Sequence, residues 1–257
     1  VLRLSGREEI IAELLNKEKH VRVADLAAYL KVTTETIRRD FAAMEEKGLL
    51  TRVHGGAVTP HYFKATEPHE QNRVNLNIDV KRRIARAVAE TIIPGESIVI
   101  DNGTTCLELA KALADRNDIT VITPSLRVAN VLFGSGNKLF LLGGWLRKSE
   151  ASVSGAMTME MLRNFSVNKV FLSAAGVSVE RGITEFIEED ADIKRCAIAC
   201  AEKVVFMANS AKFNLNALIK VAPIEAVDVL YSDTDLAAEI ESALTEKGVK
   251  TVKVPAG

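Results

Sequence analysis

VRVADLAAYLKVTTETIRRDFAAMEEKGLLTRVHGGA, residues Val21 to Ala57, reads as two short helices followed by a strand and a glycine turn. From about Ala24 to Leu30, the apolar residues Leu26, Ala27 and Leu30 recur at spacings that place them on one helical face. Lys31 and Val32 make the turn. Thr33 is an N-cap by type, since its hydroxyl can accept from an unpaired backbone N–H one turn on. The second helix carries Ile37, Phe41 and Met44 inward at i, i+4 and i+7. Gly48 follows Lys47, where a helix end favours a residue that tolerates positive φ.

The outer face of the second helix shows Thr34, Thr36, Arg38 and Arg39, next to Thr33. Hydroxyls and guanidinium forks are the groups that bond base edges and phosphates. A recognition helix presents its N-terminal residues to the major groove. Leu49 to Gly56 then reads as a wing strand carrying Arg52 and His54, closed by a glycine turn. An Arg pair by itself is ordinarily a solvated helix face. The complete array instead predicts a winged helix-turn-helix on double-stranded DNA, with Thr33, Thr34, Thr36, Arg38, Arg39, Arg52 and His54 as its contacts.

Three blocks of this stretch, Thr36-Ile37-Arg38-Arg39-Asp40, Gly48-Leu49-Leu50 and Arg52-Val53-His54-Gly55-Gly56-Ala57, closely resemble the N-terminal domain of the DeoR family of bacterial transcriptional regulators, in residues and in spacing. That family usually has Leu where this chain has Phe41, a core change that leaves the DNA face untouched.

The chain has 257 residues, 47% of them apolar, which suits two domains with a sizeable core in the larger. A formal net charge of −1 provides no overall basic field. DNA affinity must therefore come from local placement of Arg38, Arg39 and Arg52. No apolar run is long enough to cross a bilayer, and the opening residues VLRLSGREEI lack a signal-peptide core. The expectation is a cytoplasmic protein without membrane contact. Cys106, Cys196 and Cys200 are read as small packing residues. The four histidines, His20, His54, His61 and His69, all lie in the first third of the chain, away from the cysteines. No metal site and no cofactor are expected.

Arg7 to Lys19 is an amphipathic helix with Ile10, Ile11, Leu14 and Leu15 as its apolar stripe, and His20 to Val23 is a partner strand for the wing. Residues 1–58 are read as the DNA-binding domain. Residues 59–77, with two prolines and no sustained periodicity, are read as a linker, and 78–257 as a sensor domain. Ile78 to Ile93 is a helix with Ile84, Val88 and Ile92 inward. Its basic cluster, Lys81, Arg82, Arg83 and Arg86, is read as a solvated face. Strands at 97–100, 119–122, 138–142, 169–173, 204–207, 227–231 and 249–254 then alternate with helices at 104–114, 125–133, 157–165, 190–200 and 236–247. Short apolar strands alternating with helices predict an α/β domain with a mostly parallel sheet covered on both faces.

Ligands of such sheets sit outside the carboxyl ends of the strands. The loops there carry Asp101-Asn102-Gly103-Thr104-Thr105, Thr123-Pro124-Ser125, Gly143-Gly144-Trp145 with Arg147, Ser173-Ala174-Ala175-Gly176 and Asn209-Ser210-Ala211-Lys212. Glycine allows close backbone approach, and a helix start offers free N–H groups to a phosphate. One such loop is ordinary capping; several at one edge predict a shared pocket for a small anion, with Lys212 and Arg147 as cationic partners. Lys194 and Arg195 fit either the pocket or a solvated helix.

This half also resembles the DeoR family, whose sensor domain shares its fold with pentose-phosphate isomerases and CoA-transferases. The match rests on Asp101, Gly103, Thr104, Thr105, Thr123, Ser125, Leu126, Gly143, Gly144, Gly155, Gly176, Gly182, Thr184, Lys194, Arg195, Ser210, Lys212 and Phe213. The resemblance implies a phosphorylated sugar effector with its phosphate at Gly103 to Thr105. It departs at Asn209, where the family commonly has Asp; an amide both donates and accepts.

The reading is a repressor of carbohydrate-catabolism genes released by a sugar phosphate, with no catalytic residue, acting as a homodimer or homotetramer on paired half-sites. The alternative is a sugar-phosphate isomerase-like enzyme fused to a DNA-binding module. Isomerisation needs a positioned base. The loop after the strand at 169–173, which carries acids in the isomerases, has none here. Glu185, Glu188, Glu189 and Asp190 lie close by and are read as a solvated acidic helix start. A ligand-blind architectural DNA protein is disfavoured by the glycine- and hydroxyl-rich loops.

Overall fold

Ile11, Leu15, Leu26, Ile37, Phe41, Met44 and Leu50 come together in one small apolar core, and each is at most 3% exposed. This computed structural model describes residues 6–18, 20–47, 49–53, 55–59, 63–64 and 73–255. The chain forms two compact units, Val1–Phe63 with Asn214–Asn216, and Lys64–Phe213 with Ala217–Gly257.

In the first unit, α1 (Gly6–Glu18), α2 (Val23–Leu30) and α3 (Thr34–Glu46) supply the core. Only the i, i+4 pair Ile11 and Leu15 of α1 is fully buried; Ile10 turns outward, at 38% exposed. The tight α2–α3 turn puts Lys31 in the left-handed region, φ 53°. Thr33 caps α3, its side chain accepting from the Thr36 N–H. β1 (His20–Arg22) and β2 (Thr51–Val53) flank β3 (Gly56–Val58), both antiparallel to it. The segment before α2 thus does pair with the wing. Two charge pairs tie α1 to α3: Arg7 binds Asp40 through two nitrogens, and Lys47 binds Glu8 at 2.7 Å. Gly48 and His54 lie outside the described residues, as does most of the expected linker.

The second unit is built on seven strands. In chain order they are β5 (Ser97–Ile100), β6 (Thr120–Thr123), β7 (Lys138–Leu141), β10 (Val167–Leu172), β13 (Ala201–Met207), β16 (Val229–Asp233) and β17 (Lys250–Val254). Every pairing among them is parallel, in the order β17-β16-β13-β10-β5-β6-β7. Alternate residues face opposite layers, as a period of two requires. Ile98 and Ile100 of β5 pack with α4 (Ile78–Ala89), α5 (Thr104–Ala112) and α6 (Leu126–Leu132). Val99, between them, packs in the layer of α7 (Ala156–Arg163), α8 (Glu188–Ala199) and α9 (Ala238–Glu246). The sequence pattern placed all seven strands and these helices to within a few residues.

It did not show the smaller sheets. β8 (Trp145–Arg147) and β9 (Ser152–Ser154) form a hairpin, and β12 (Gly182–Glu185) pairs antiparallel with β11 (Gly176–Ser178) and β15 (Ile219–Ala222). Gly176, read as part of a loop, is the first residue of β11. β4 (Phe63–Lys64) and β14 (Asn216–Ala217) are two residues long.

Phe41 is 1% exposed at the centre of the first core. Phe41→Ala should destabilise this unit by about 3–5 kcal/mol, and Phe41→Leu, which keeps most of the volume, by about half that or less. Denaturant unfolding followed by far-UV circular dichroism checks this; equal costs for the two changes would contradict a packed Phe41.

Candidate functional site

On the first unit, Arg38 and Arg39 project from an exposed face of α3. Among the described residues Arg38 is held only by Glu35, at 3.3 Å, with both side chains more than 60% exposed. The Thr33 and Thr36 hydroxyls lie 2.8 Å apart at the helix start. Arg52, on β2, gives its backbone N–H and Nε to Glu45, at 2.7 and 2.6 Å. Ion pairs this exposed contribute about 0–1 kcal/mol and yield readily to a stronger anion. Hydroxyls and guanidinium groups are thus exposed on α3 and β2, each held only loosely.

On the second unit, the strand order fixes where a ligand can sit. From β5 the chain winds through β6 and β7 to one edge; β10 then returns to β5's other side, and β13, β16 and β17 continue away. The order reverses between β5 and β10, and the crevice beyond their carboxyl ends is the expected ligand position of such a sheet. The two loops there touch closely. Gly103 has φ 115°, and a Cβ on it would lie 2.5 Å from the Ser173 Oγ. Gly103 is also the N-cap of α5 and supplies no side-chain acceptor. Thr104 and Thr105 follow it inside the first turn, largely buried, and their hydroxyls make no hydrogen bond among the described residues. The first N–H groups of α5 therefore keep the partial positive charge that binds an anion.

Below this loop lies a buried charge cluster. Lys194, on α8, is 2% exposed; its ammonium binds the Asp101 carboxylate, the Asn102 Oδ1 at 3.2 Å and Glu185 at 3.4 Å. Burial opposes charge on Lys194, but Asp101, Glu185 and Asp190 outweigh it and raise its pKa above the ordinary lysine value. Burial likewise pushes Asp101 up to about 6 against the pull of Lys194, and raises Glu185. Asp190 is bound by Arg147 from the β8–β9 hairpin. A second buried ammonium, Lys81 on α4, is 6% exposed and donates to the Arg73 carbonyl, with no carboxylate partner among the described residues. Burial, then Lys212 and Arg73, lower its pKa to about 8, while Glu108, one turn into α5, acts in the opposite direction.

Comparison with known proteins matches both halves of the chain. Residues 7–62 match the DeoR-like helix-turn-helix domain and residues 76–234 the DeoR C terminal sensor domain. The chain belongs to the DeoR family. Among its relatives, the transcriptional repressor AccR of Agrobacterium fabrum is 34% identical, over 92% of each chain. The glycerol-3-phosphate regulon repressor of Escherichia coli is 29% identical over 97% of this chain and 98% of its own. The regulator GolR of Listeria innocua is 30% identical over 94% of this chain and 93% of its own. Ribose 5-phosphate isomerase A of Methanocaldococcus jannaschii is similar over 53% of this chain and 55% of its own, at 15% identity and TM-score 0.41. The family is one of transcriptional regulators rather than enzymes.

Several sequence readings change in the DeoR-family structure. Lys81 is not on a solvated face, because it sits three residues before Ile84 and seven before Val88 and shares their buried side. That spacing was the available clue. Lys194 is buried for a similar reason, with Ala191 and Ala197 three residues to either side. Glu185 and Asp190 are buried too, and only Glu188 and Glu189 of that group are exposed. Thr123 and Ser125 spend their hydroxyls on the fold: Thr123 donates to the Ile100 carbonyl at 2.7 Å, and Ser125 caps α6. Gly144, φ 149°, lets the backbone pass where a Cβ would meet the Thr158 Oγ1 at 1.9 Å. Gly143, beside it, accepts from that hydroxyl at 2.7 Å. Lys212 donates to the Ala175 carbonyl at 3.3 Å. Asn209 is 8% exposed, and its Oδ1 has no hydrogen-bond partner among the described residues. The cysteines are free thiols; burial pushes Cys106 up to about 12. Among the described residues no helix is long and apolar enough to cross a membrane.

Removing Lys194 leaves two buried carboxyls without their ammonium. Lys194→Met should cost about 3–5 kcal/mol at pH 7.5. The folded-state pKa values of Asp101 and Glu185 lie above their unfolded values, so their contribution is full at low pH and is lost as pH rises. Without Lys194 they rise further. The defect should therefore shrink between pH 7.5 and 5; thermal unfolding across that range, with a defect independent of pH, would refute the coupling.

Proposed function

We propose that this chain represses carbohydrate-catabolism genes by binding a double-stranded operator, and that a phosphorylated sugar in the β5–β10 crevice releases it. Residues 1–58 read the DNA through Thr33, Thr34, Thr36, Arg38, Arg39, Arg52 and His54; 59–77 connect; 78–257 sense. The protein works as a homodimer or homotetramer in the cytoplasm, where its operator is, because paired half-sites call for a symmetric reader.

The observation that carries the sugar-phosphate reading is Lys81. A buried ammonium with no carboxylate bonded to it among the described residues, close enough to Lys212 and Arg73 to be depressed by them, is an arrangement that a dianion relieves. Glu108, which acts on it, lies one turn into α5, and the uncapped start of that helix offers the Thr104 and Thr105 hydroxyls and backbone N–H groups. Asp101, Asn209 and the loops of Gly143–Gly144 and Gly176 surround this position in the chain's topology and would meet the sugar, with Lys212 and Arg147 as further cations. A relative of nearly the same length is named for the glycerol-3-phosphate regulon, which is consistent with a phosphorylated ligand.

A thermal-shift screen against sugar phosphates tests the reading directly, since a ligand of the folded state raises the unfolding temperature. No shift with any pentose, hexose or triose phosphate would refute it. Thr104→Val with Thr105→Val keeps the shape but removes two hydroxyls; it should leave DNA affinity unchanged while raising the effector concentration needed for release. Release at the native concentration would place the pocket elsewhere. At the other end, Arg38→Ala or Arg39→Ala should weaken binding to a duplex selected by the wild type, by about 1–3 kcal/mol for each lost base contact. Native affinity in the double variant would overturn the α3 assignment.

A further inference from the structure

On the side of α4 the seven-stranded sheet is covered only in part. α4 packs on β16 and β17 but ends at Ala89, and the turn after it reaches β10, where the Lys169 ammonium donates to the Thr91 carbonyl at 2.7 Å. Beyond that end the sheet face holds a cavity of about 210 Å³. It lies at the amino ends of the strands, opposite the crevice. Lys169 and Lys203 are the third residues of β10 and β13, and Val229 and Lys250 are the first of β16 and β17.

Strand register decides what faces this cavity. Lys169 pairs with Lys203, Val205 with Val229, and Val229 with Lys250. Residues in register on neighbouring strands share a face, as do residues two apart on one strand. Three lysines from three strands thus ring an apolar floor of Val205, Val229 and Tyr231. The same rule turns Glu202, beside Lys203, to the other face.

The charges around the cavity are not balanced. Glu96 takes the Lys169 ammonium at 2.7 Å. Lys203 and Lys250 are exposed and have no carboxylate partner among the described residues. Asp228, just ahead of β16, spends its carboxylate on the Val204 N–H at 2.7 Å. A lysine stem lying on apolar surface with its head in water is ordinary. Two uncompensated ammonium groups at one small concavity are more than that covering requires, and they attract an anion.

The floor selects among anions. Val205 and Tyr231 are 3% and 8% exposed, so the floor is the rim of the core itself. A sugar hydroxyl pressed against it would lose its bonds to water, whereas a methylene chain or a ring gains by the contact. The volume is below the roughly 300–1,000 Å³ of sites for drug-sized ligands, so the apolar body is short. We propose that this cavity binds a small organic acid, its carboxylate between Lys203 and Lys250 and its apolar body on Val205, Val229 and Tyr231. The site is separate from the crevice and does not depend on a sugar phosphate binding there.

The probe is benzoate, with benzamide as its uncharged counterpart, titrated calorimetrically into the full chain. Expected is saturable binding of benzoate, with benzamide weaker by about 5-fold or more. Lys203→Met with Lys250→Met keeps the apolar stems and removes both charges. It should weaken benzoate by about 5- to 25-fold, since each exposed pair accounts for at most about 5-fold, and leave the unfolding temperature unchanged. Lys203→Arg with Lys250→Arg keeps the charges and should retain most of the affinity. Backbone-amide NMR of the wild type needs no variant, and benzoate should shift residues 203–205 and 229–231. Absence of saturable benzoate binding overturns the proposal, as does equal affinity for benzamide. So does native affinity in the double Met variant, the outcome if the lysine stems only cover the sheet, and so do shifts confined to the crevice loops 101–105 and 173–176.

Discussion

Reversal of strand order between β5 and β10 is the constraint on which the larger unit depends. The chain leaves β5 for α5 in one layer and, after β10, enters α8 in the other. Two neighbouring strands therefore send their loops apart, and something must hold the gap at a fixed width. Lys194 does so. It stands on α8, yet its partners are Asp101, at the end of β5, and Glu185, at the end of β12. One ammonium ties both layers and the small antiparallel sheet to the loop that starts α5. Burying three charged groups is costly and is seldom justified by stability alone. Here it sets the geometry of a loop whose next residues, Gly103 to Thr105, are the candidate anion cradle.

The seven parallel strands were legible because each is a short apolar run with both faces buried, separated by helices of the right period. The winged domain was legible because Ile37, Phe41 and Met44 mark a helix face, and Thr33 marks its start. What stayed hidden depends on partners far away in sequence. Asp40 follows the exposed pair Arg38-Arg39, and nothing in its spacing reveals that it pairs with Arg7, 33 residues earlier. It therefore orients the recognition helix from behind. Glu185 and Asp190 look like the acidic start of a helix; Asp190 is held by Arg147, 43 residues earlier, and Glu185 by Lys194 on the buried side of α8. The β8–β9 hairpin and the β11–β12–β15 sheet use strands of three or four residues, too short for periodicity to register. Lys81 was the avoidable miss, since its spacing from Ile84 and Val88 placed it inward.

The two kinds of charge in this protein suit its two tasks. With a net charge of −1, the protein has no overall field to draw it to DNA. Arg38 and Arg52 are loosely paired with Glu35 and Glu45 at exposed positions. Ion pairs at such exposed positions are worth about 0–1 kcal/mol and give way at little cost to a polyanion that supplies many contacts at once. At the crevice the opposite holds. Lys194, Asp101, Glu185, Asp190 and Glu150 are almost wholly buried, and water cannot compensate for a partner that moves. Under the proposed function, an anion in the crevice would meet buried charges that water does not screen, whereas one more anion at the exposed arginines would change little. On that proposal, sensitivity to a small ligand and tolerance of a crowded ionic surface both follow from where each charge is placed relative to solvent.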